Sequence, residues 1–233
     1  MTPMAKTTIR LVALGAALAA VAVSPTVAAA TVASPVRAVF LKEFSKSSYT
    51  MDQGQILVFE NDDPFLLHGL IGGGGLTAPT ISPNQTRLVR SAPFLGPGVY
   101  PFHDPAHPEM ASSLTITSAG ARLPADIARP TAQIKVLTPA KRAARSGRIK
   151  VRVTPSEPLD ASIKAVGSSG SIGVGNRTYP DALAGVLIIA LDPASKQQAR
   201  GGVQLKVKLT DAAGNRTKRT AALGAGGGGK KKR

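Results

Sequence analysis

The chain contains no cysteine and no tryptophan, and each absence removes a class of function. Without thiols there is no disulfide framework, no lipid attachment through a cysteine and no thiolate ligand for a metal. Aromatic residues make up only 4% of the 233 positions, and none is interleaved with the basic side chains. Base stacking along a cationic groove is therefore disfavoured, and nucleic acid is not an expected partner. Acidic residues are scarce as well, 13 against 29 Lys and Arg, for a net charge of +16. No long stretch carries the i, i+3, i+4, i+7 apolar spacing of an amphipathic helix.

The one sustained apolar run is Leu11 to Val23, preceded by Lys6 and Arg10 and followed by the small residues Ala28-Ala29-Ala30. A bilayer span needs about 20 apolar residues, and this run is shorter. The order of basic, apolar and small segments is that of a secretory signal peptide over residues 1–30. The expected location is secreted or extracytoplasmic, with association to the cell surface as an extension of it.

Charge then divides the remainder. Residues 31–120 hold five basic and seven acidic side chains, whereas 121–233 hold 22 and six. So sharp a break places a domain boundary near 120 and points to different partners for the two halves. Strand signals fill both. Val36 to Phe44, Tyr49 and Met51, Gln55 to Glu60, Thr86 to Ser91, Gly98 to Phe102 and Ser113 to Thr117 are separated by turn sequences. Those turns are Asp52-Gln53-Gly54, Asn61-Asp62-Asp63-Pro64, Gly72 to Gly75, Ser82-Pro83-Asn84 and Gly96-Pro97-Gly98. Beyond a Pro- and Ala-containing linker at 119–130, Ile149, Val151 and Val153 alternate with basic residues. Val203, Leu205, Val207 and Leu209 do the same, and Val186 to Leu191 is a more continuous apolar strand. The expected fold class is all-β, as two small sandwiches. Gly72 to Gly75 lacks the Lys-Ser/Thr and the strand-to-helix setting of a phosphate loop, so a flexible surface loop is expected there. Residues 224–233, glycines around a basic cluster, are expected to be a disordered tail.

The three histidines, His68, His103 and His107, all fall in the first half. His68 follows the Asn-Asp-Asp turn, and the others lie in Tyr100-Pro-Phe-His-Asp-Pro-Ala-His-Pro-Glu-Met110. An imidazole and a thioether three residues apart in an interstrand loop form a donor pair suited to copper. Over about 36–118 the chain resembles the cupredoxins. The likeness runs through Phe44-Ser45, through Gly54, Phe59, Asn61 and Asp63 leading to His68, and through Gly98-Val-Tyr-Pro-Phe-His-Asp with His107-Pro-Glu-Met110. The family pattern has cysteine where this chain has Asp104.

That resemblance implies a cupredoxin-like Greek-key β-sandwich over 31–118 and the ligand set His68, Asp104, His107 and Met110. A rival register uses His103, which would need a bulge to turn inward, because neighbours on a strand face opposite ways. With a carboxylate in place of the thiolate, the expected cofactor is Cu(II), Zn(II) being the second candidate, in a pale site without blue-copper chemistry.

Residues 131–223 resemble a bacterial immunoglobulin-like domain, chiefly through Val203 to Thr210 followed by Asp211-Ala-Ala-Gly-Asn215, which implies a second β-sandwich. At that motif a plain hairpin turn is favoured over calcium held by Asp211 and Asn215. The sequons at Asn84, Asn176 and Asn215 are explained by chance. The cationic half, ending in Lys230-Lys231-Lys232-Arg233, fits an anionic cell-wall polymer or a membrane surface, or serves only solubility. Nothing near the histidines resembles a base, nucleophile or oxyanion donor, so no enzyme is expected. Three functions follow: a copper carrier, buffer or sensor; a divergent electron-transfer protein; or a metal-free adhesion scaffold.

Overall fold

The computed structural model describes residues 31–224, so the expected leader and nearly all of the basic tail lie outside the described residues. Strands dominate throughout, and the chain is all-β. None of the described helices is long and apolar enough to cross a membrane.

The first domain opens with β1 (Val36–Val39) and β2 (Glu43–Phe44). The sequence reads as one strand from Val36 to Phe44, but Leu41 and Lys42 take positive φ of 74° and 58°. They fold it into a tight hairpin, which lays Phe44 edge-on against Phe102 at 5.0 Å. Next come β3 (Ser48–Gln53), β4 (Val58–Asn61), β5 (His68–Gly72), β6 (Thr77–Ile81), β7 (Gln85–Leu88), β8 (Gly98–His103) and β9 (Ala111–Gly120). They form two sheets, β2-β1-β4-β7 and β3-β9-β8-β5-β6, with β1 parallel to β4 and β3 parallel to β9. Phe59, Met51, Leu70, Leu114 and Ile116 fill the space between them. Burying each such side chain is worth about 1.5–3 kcal/mol.

Gly72 to Gly75 form a compact turn joining β5 to β6, closed by the Gly72 N–H to the Leu76 carbonyl at 2.9 Å. A Cβ on Gly72 would lie 2.6 Å from Phe102 Cβ and from the Pro101 carbonyl. Glycine is thus what lets β5, the strand that begins with His68, pair with β8.

The second domain contains β10 (Ala132–Val136), α1 (Ala140–Ser146), β11 (Arg148–Pro155), β12 (Leu159–Gly167), β13 (Gly170–Tyr179), β14 (Gly185–Leu191), β15 (Val203–Asp211) and β16 (Arg216–Leu223). The strand order is β10-β11-β14-β13-β12-β15-β16. β13 pairs with β12 along its length but with β14 only at Gly173 and Val174. The strands on both sides of that short pairing bury one core of Ile149, Val151, Ile163, Ile189, Leu205 and Leu209. The two edge strands come together where the Arg219 guanidinium reaches the Ala132 carbonyl at 3.4 Å.

The domains share a seam. Ile56, Val58 and Leu88 of the first bury a surface with Ala212 of the second. Thr178 Oγ1 lies 2.7 Å from the Thr86 carbonyl and 2.7 Å from Asp160 Oδ1, and the Leu88 N–H points to the Asp160 carboxylate at 3.3 Å.

Candidate metal centre

The turn Asn61 to Pro64 is a buried polar clamp. The Asn61 amide donates to the carbonyls of Leu66 (2.9 Å) and Ile81 (3.0 Å), and its Oδ1 accepts the Asp63 N–H at 3.0 Å. Asp63 Oδ1 in turn accepts the N–H groups of Phe65 (2.7 Å) and Leu66 (2.9 Å). Burial works to raise the Asp63 carboxyl, but those two N–H groups and the His68 imidazole outweigh it and hold the group below its ordinary value. The clamp fixes the loop that delivers His68 to the start of β5.

The other half of the centre comes off the end of β8. Strand alternation puts Phe102 inside, His103 in solvent and Asp104 inside. No bulge turns His103 inward: it sits regularly between Ile71 and Ala111, outside the cluster. Asp104 is wholly buried and fully engaged. Its Oδ1 accepts the N–H groups of Ala106 (2.7 Å) and His107 (3.1 Å), and its Oδ2 accepts that of Gly69 (3.0 Å) and faces His68 Nδ1 at 2.9 Å. The loop closes through the Asp104 N–H to the Met110 carbonyl and the Met110 N–H to the His107 carbonyl.

His68, with no exposed surface, therefore stands between two buried carboxylates. Its Nε2 lies 3.5 Å from Asp63 Oδ2, and both of these buried atoms lack a hydrogen-bond partner. A pair of this kind needs a shared positive charge, because burying an uncompensated carboxylate costs several kcal/mol. A cation held by Nδ1 and Oδ2 would supply that charge and leave Nε2–H free to donate to Asp63, the carboxylate–histidine–metal arrangement that fixes ring orientation.

The His107 ring lies beside that of His68, centroids 5.5 Å apart, partly exposed and within 3.7 Å of the Glu109 carboxylate. Met110 is buried in the first domain's core. His68, Asp104 and His107 do not make a triplet with ligand atoms all within 4.8 Å of one another. Among the described residues, the group of His, Asp and Glu that meets this test is Asp126, Glu157 and Asp211. The sequence reading missed Asp63 as a partner of His68, although Asn61-Asp62-Asp63 stood in view as a turn. It had no means of finding the acidic triplet, whose members are far apart in the chain.

No protein-family model matches the chain, and no curated protein does. Among solved structures, an oxidized amicyanin mutant aligns at 13% identity over 39% of this chain and 94% of that one, with a TM-score of 0.31. A reduced amicyanin mutant gives 18% identity over 36% and 82%, TM-score 0.32. A purple cupredoxin from Nitrosopumilus maritimus gives 15% over 36% and 98%, TM-score 0.31. These are weak neighbours, and the reading of the site rests on the chain's own geometry.

Proposed function

We propose that the protein is an extracytoplasmic copper-binding protein, a carrier, buffer or sensor, whose first domain takes Cu(II) through His68 Nδ1 and Asp104 Oδ2. His107 and Met110 complete the ligand set, and Asp63 orients the His68 ring from behind. The observation that carries this is the wholly buried His68–Asp104 pair at 2.9 Å, beside a second imidazole on a loop. Nitrogen and oxygen donors at that separation are close enough to share one ion, and a hard carboxylate favours the oxidised state. Zn(II) is the competing ion. Electron transfer is disfavoured because no thiolate is present. In the second domain, seven antiparallel strands around one core support an immunoglobulin-like spacer. Its cationic surface and tail suit an anionic polymer or membrane.

A second reading, the metal-free surface scaffold, is favoured by one observation: His107 does not converge with the other two donors within 4.8 Å. Cupric titration followed by EPR and absorbance separates the two. One equivalent of Cu(II) is expected, without an intense thiolate band, and it is expected to be lost in His107→Ala and in the double variant His68→Ala/His107→Ala. His103→Ala is expected to bind as the parent does. Absence of saturable binding, or full binding by the double variant, refutes the copper reading and leaves the scaffold.

A further inference from the structure

The acidic triplet lies where the linker meets the second domain. Asp126 belongs to the linker, Glu157 to the turn between β11 and β12, and Asp211 ends β15. One carboxylate oxygen from each lies within 4.8 Å of the others. Two oxygens bound to one calcium ion at 2.3–2.6 Å are at most about 5 Å apart, so this spacing matches a common coordination sphere. Asp181 lines the same cleft, which has a volume of about 410 Å³ and is walled by Ile56 and Phe94 of the first domain.

A second observation points to a missing ligand. Asp211 is 2% exposed, and its Oδ2 has no hydrogen-bond partner, while its Oδ1 accepts the Asn215 N–H at 2.8 Å. Among the described residues, none of the three carboxylates takes part in a salt bridge. Although the chain carries a net charge of +16, these three carboxylates have gathered without a basic partner among the described residues.

We propose that Asp126, Glu157 and Asp211 form a site for a divalent, oxygen-preferring cation of the calcium type at the domain junction. The donor set is all oxygen, which suits a hard cation and not copper or zinc. The ion ties the linker to the end of the sheet where β12 begins beside the end of β15. The Asn215 side-chain amide already donates to the Asp126 carbonyl at 3.0 Å, and the Ser91 N–H to the Ala212 carbonyl at 3.1 Å. The cation therefore locks the segment on which the two domains meet. This site is separate from the histidine centre and independent of the copper reading.

The test uses the full chain, stripped with a calcium chelator and titrated with calcium chloride to about 10 mM, roughly tenfold above the weakest dissociation constants of extracellular calcium modules. Calorimetric titration is expected to give one saturable site, and scanning calorimetry a calcium-dependent rise in Tm. Glu157→Gln and Asp126→Asn, both at partly exposed positions, are each expected to weaken binding by about tenfold or more, since affinity follows ligand charge. The double variant His68→Ala/His107→Ala is expected to keep the calcium response, so failure of one centre is told apart from failure of the other. No calcium heat and no Tm shift in the parent protein, or parental affinity in both carboxylate variants, overturns the proposal.

Discussion

Asp160 sits on β12 at the seam between the domains, and replacing it with asparagine is expected to stabilise the protein at neutral pH. Burial pushes its carboxyl from 3.8 up to about 6, against the opposing pull of Thr178, Arg87, the Leu88 N–H and Arg90. The local hydrogen bonding gives the reason. Thr178 Oγ1 is 2.7 Å from both Asp160 Oδ1 and the Thr86 carbonyl, yet a hydroxyl has one proton to donate. When Asp160 is ionised, one of the two acceptors goes without. When it is protonated, it donates to the hydroxyl, which then donates onward to Thr86. The folded carboxyl is raised above its unfolded value, so the native state holds a proton that the unfolded chain has released between about pH 4 and 6. Stability from this group is therefore highest near pH 4 and is lost as pH rises through about 6. At about 1.4 kcal/mol per pH step the loss has a ceiling of about 3 kcal/mol, and the side chain's residual exposure reduces it toward about 1–2 kcal/mol. An asparagine amide can donate to Thr178 while its oxygen accepts from Leu88, and it carries no charge to bury. Asp160→Asn is thus expected to raise Tm by about 2–8 °C near pH 7.5, at about 2–4 °C per kcal/mol, and by little near pH 4. Scanning calorimetry of parent and variant across that range measures the difference, in which other titrating groups cancel. A variant less stable than the parent near pH 7.5, or a gap that does not close toward pH 4, refutes the reasoning.

Two further outcomes bear on the histidine centre. Asn61→Ala removes a buried amide that holds two carbonyls and the Asp63 N–H, and is expected to cost about 2–4 kcal/mol in chemical denaturation; a loss below about 1 kcal/mol would mean the clamp is not what shapes the loop. Asp104→Cys, given one equivalent of Cu(II), is expected to develop an intense charge-transfer band absent from the parent; a colourless variant would place Asp104 outside the coordination sphere.

The residues of the candidate histidine centre stood out in the sequence. Three histidines confined to the first half, and the alternation that sends His103 outward and Asp104 inward, needed only composition and the period of a strand. The strands β4, β8, β11 and β15 were legible for the same reason, each alternating or apolar over several residues. β5 and β6 were not, because His68 and the glycines after it carry no apolar rhythm. The strand character of β5 comes from pairing with β8, and that of β6 from pairing with β5. The short helix α1 was also missed: three alanines facing the core over seven residues give too brief a pattern to stand out.

By itself the sequence determined the all-β class, the break in charge between the halves, the absence of any thiolate and the stretch of chain that carries the donors. All of these are read from composition and local period, which need no knowledge of what lies across the fold. Only the tertiary structure decided that Asp63 stands behind His68, that Asp104 spends its oxygens on His68 and three backbone N–H groups, and that Asp126, Glu157 and Asp211 meet. Those outcomes depend on separations of a few ångströms between residues tens of positions apart, and strand pairing across two sheets and a domain seam sets such distances.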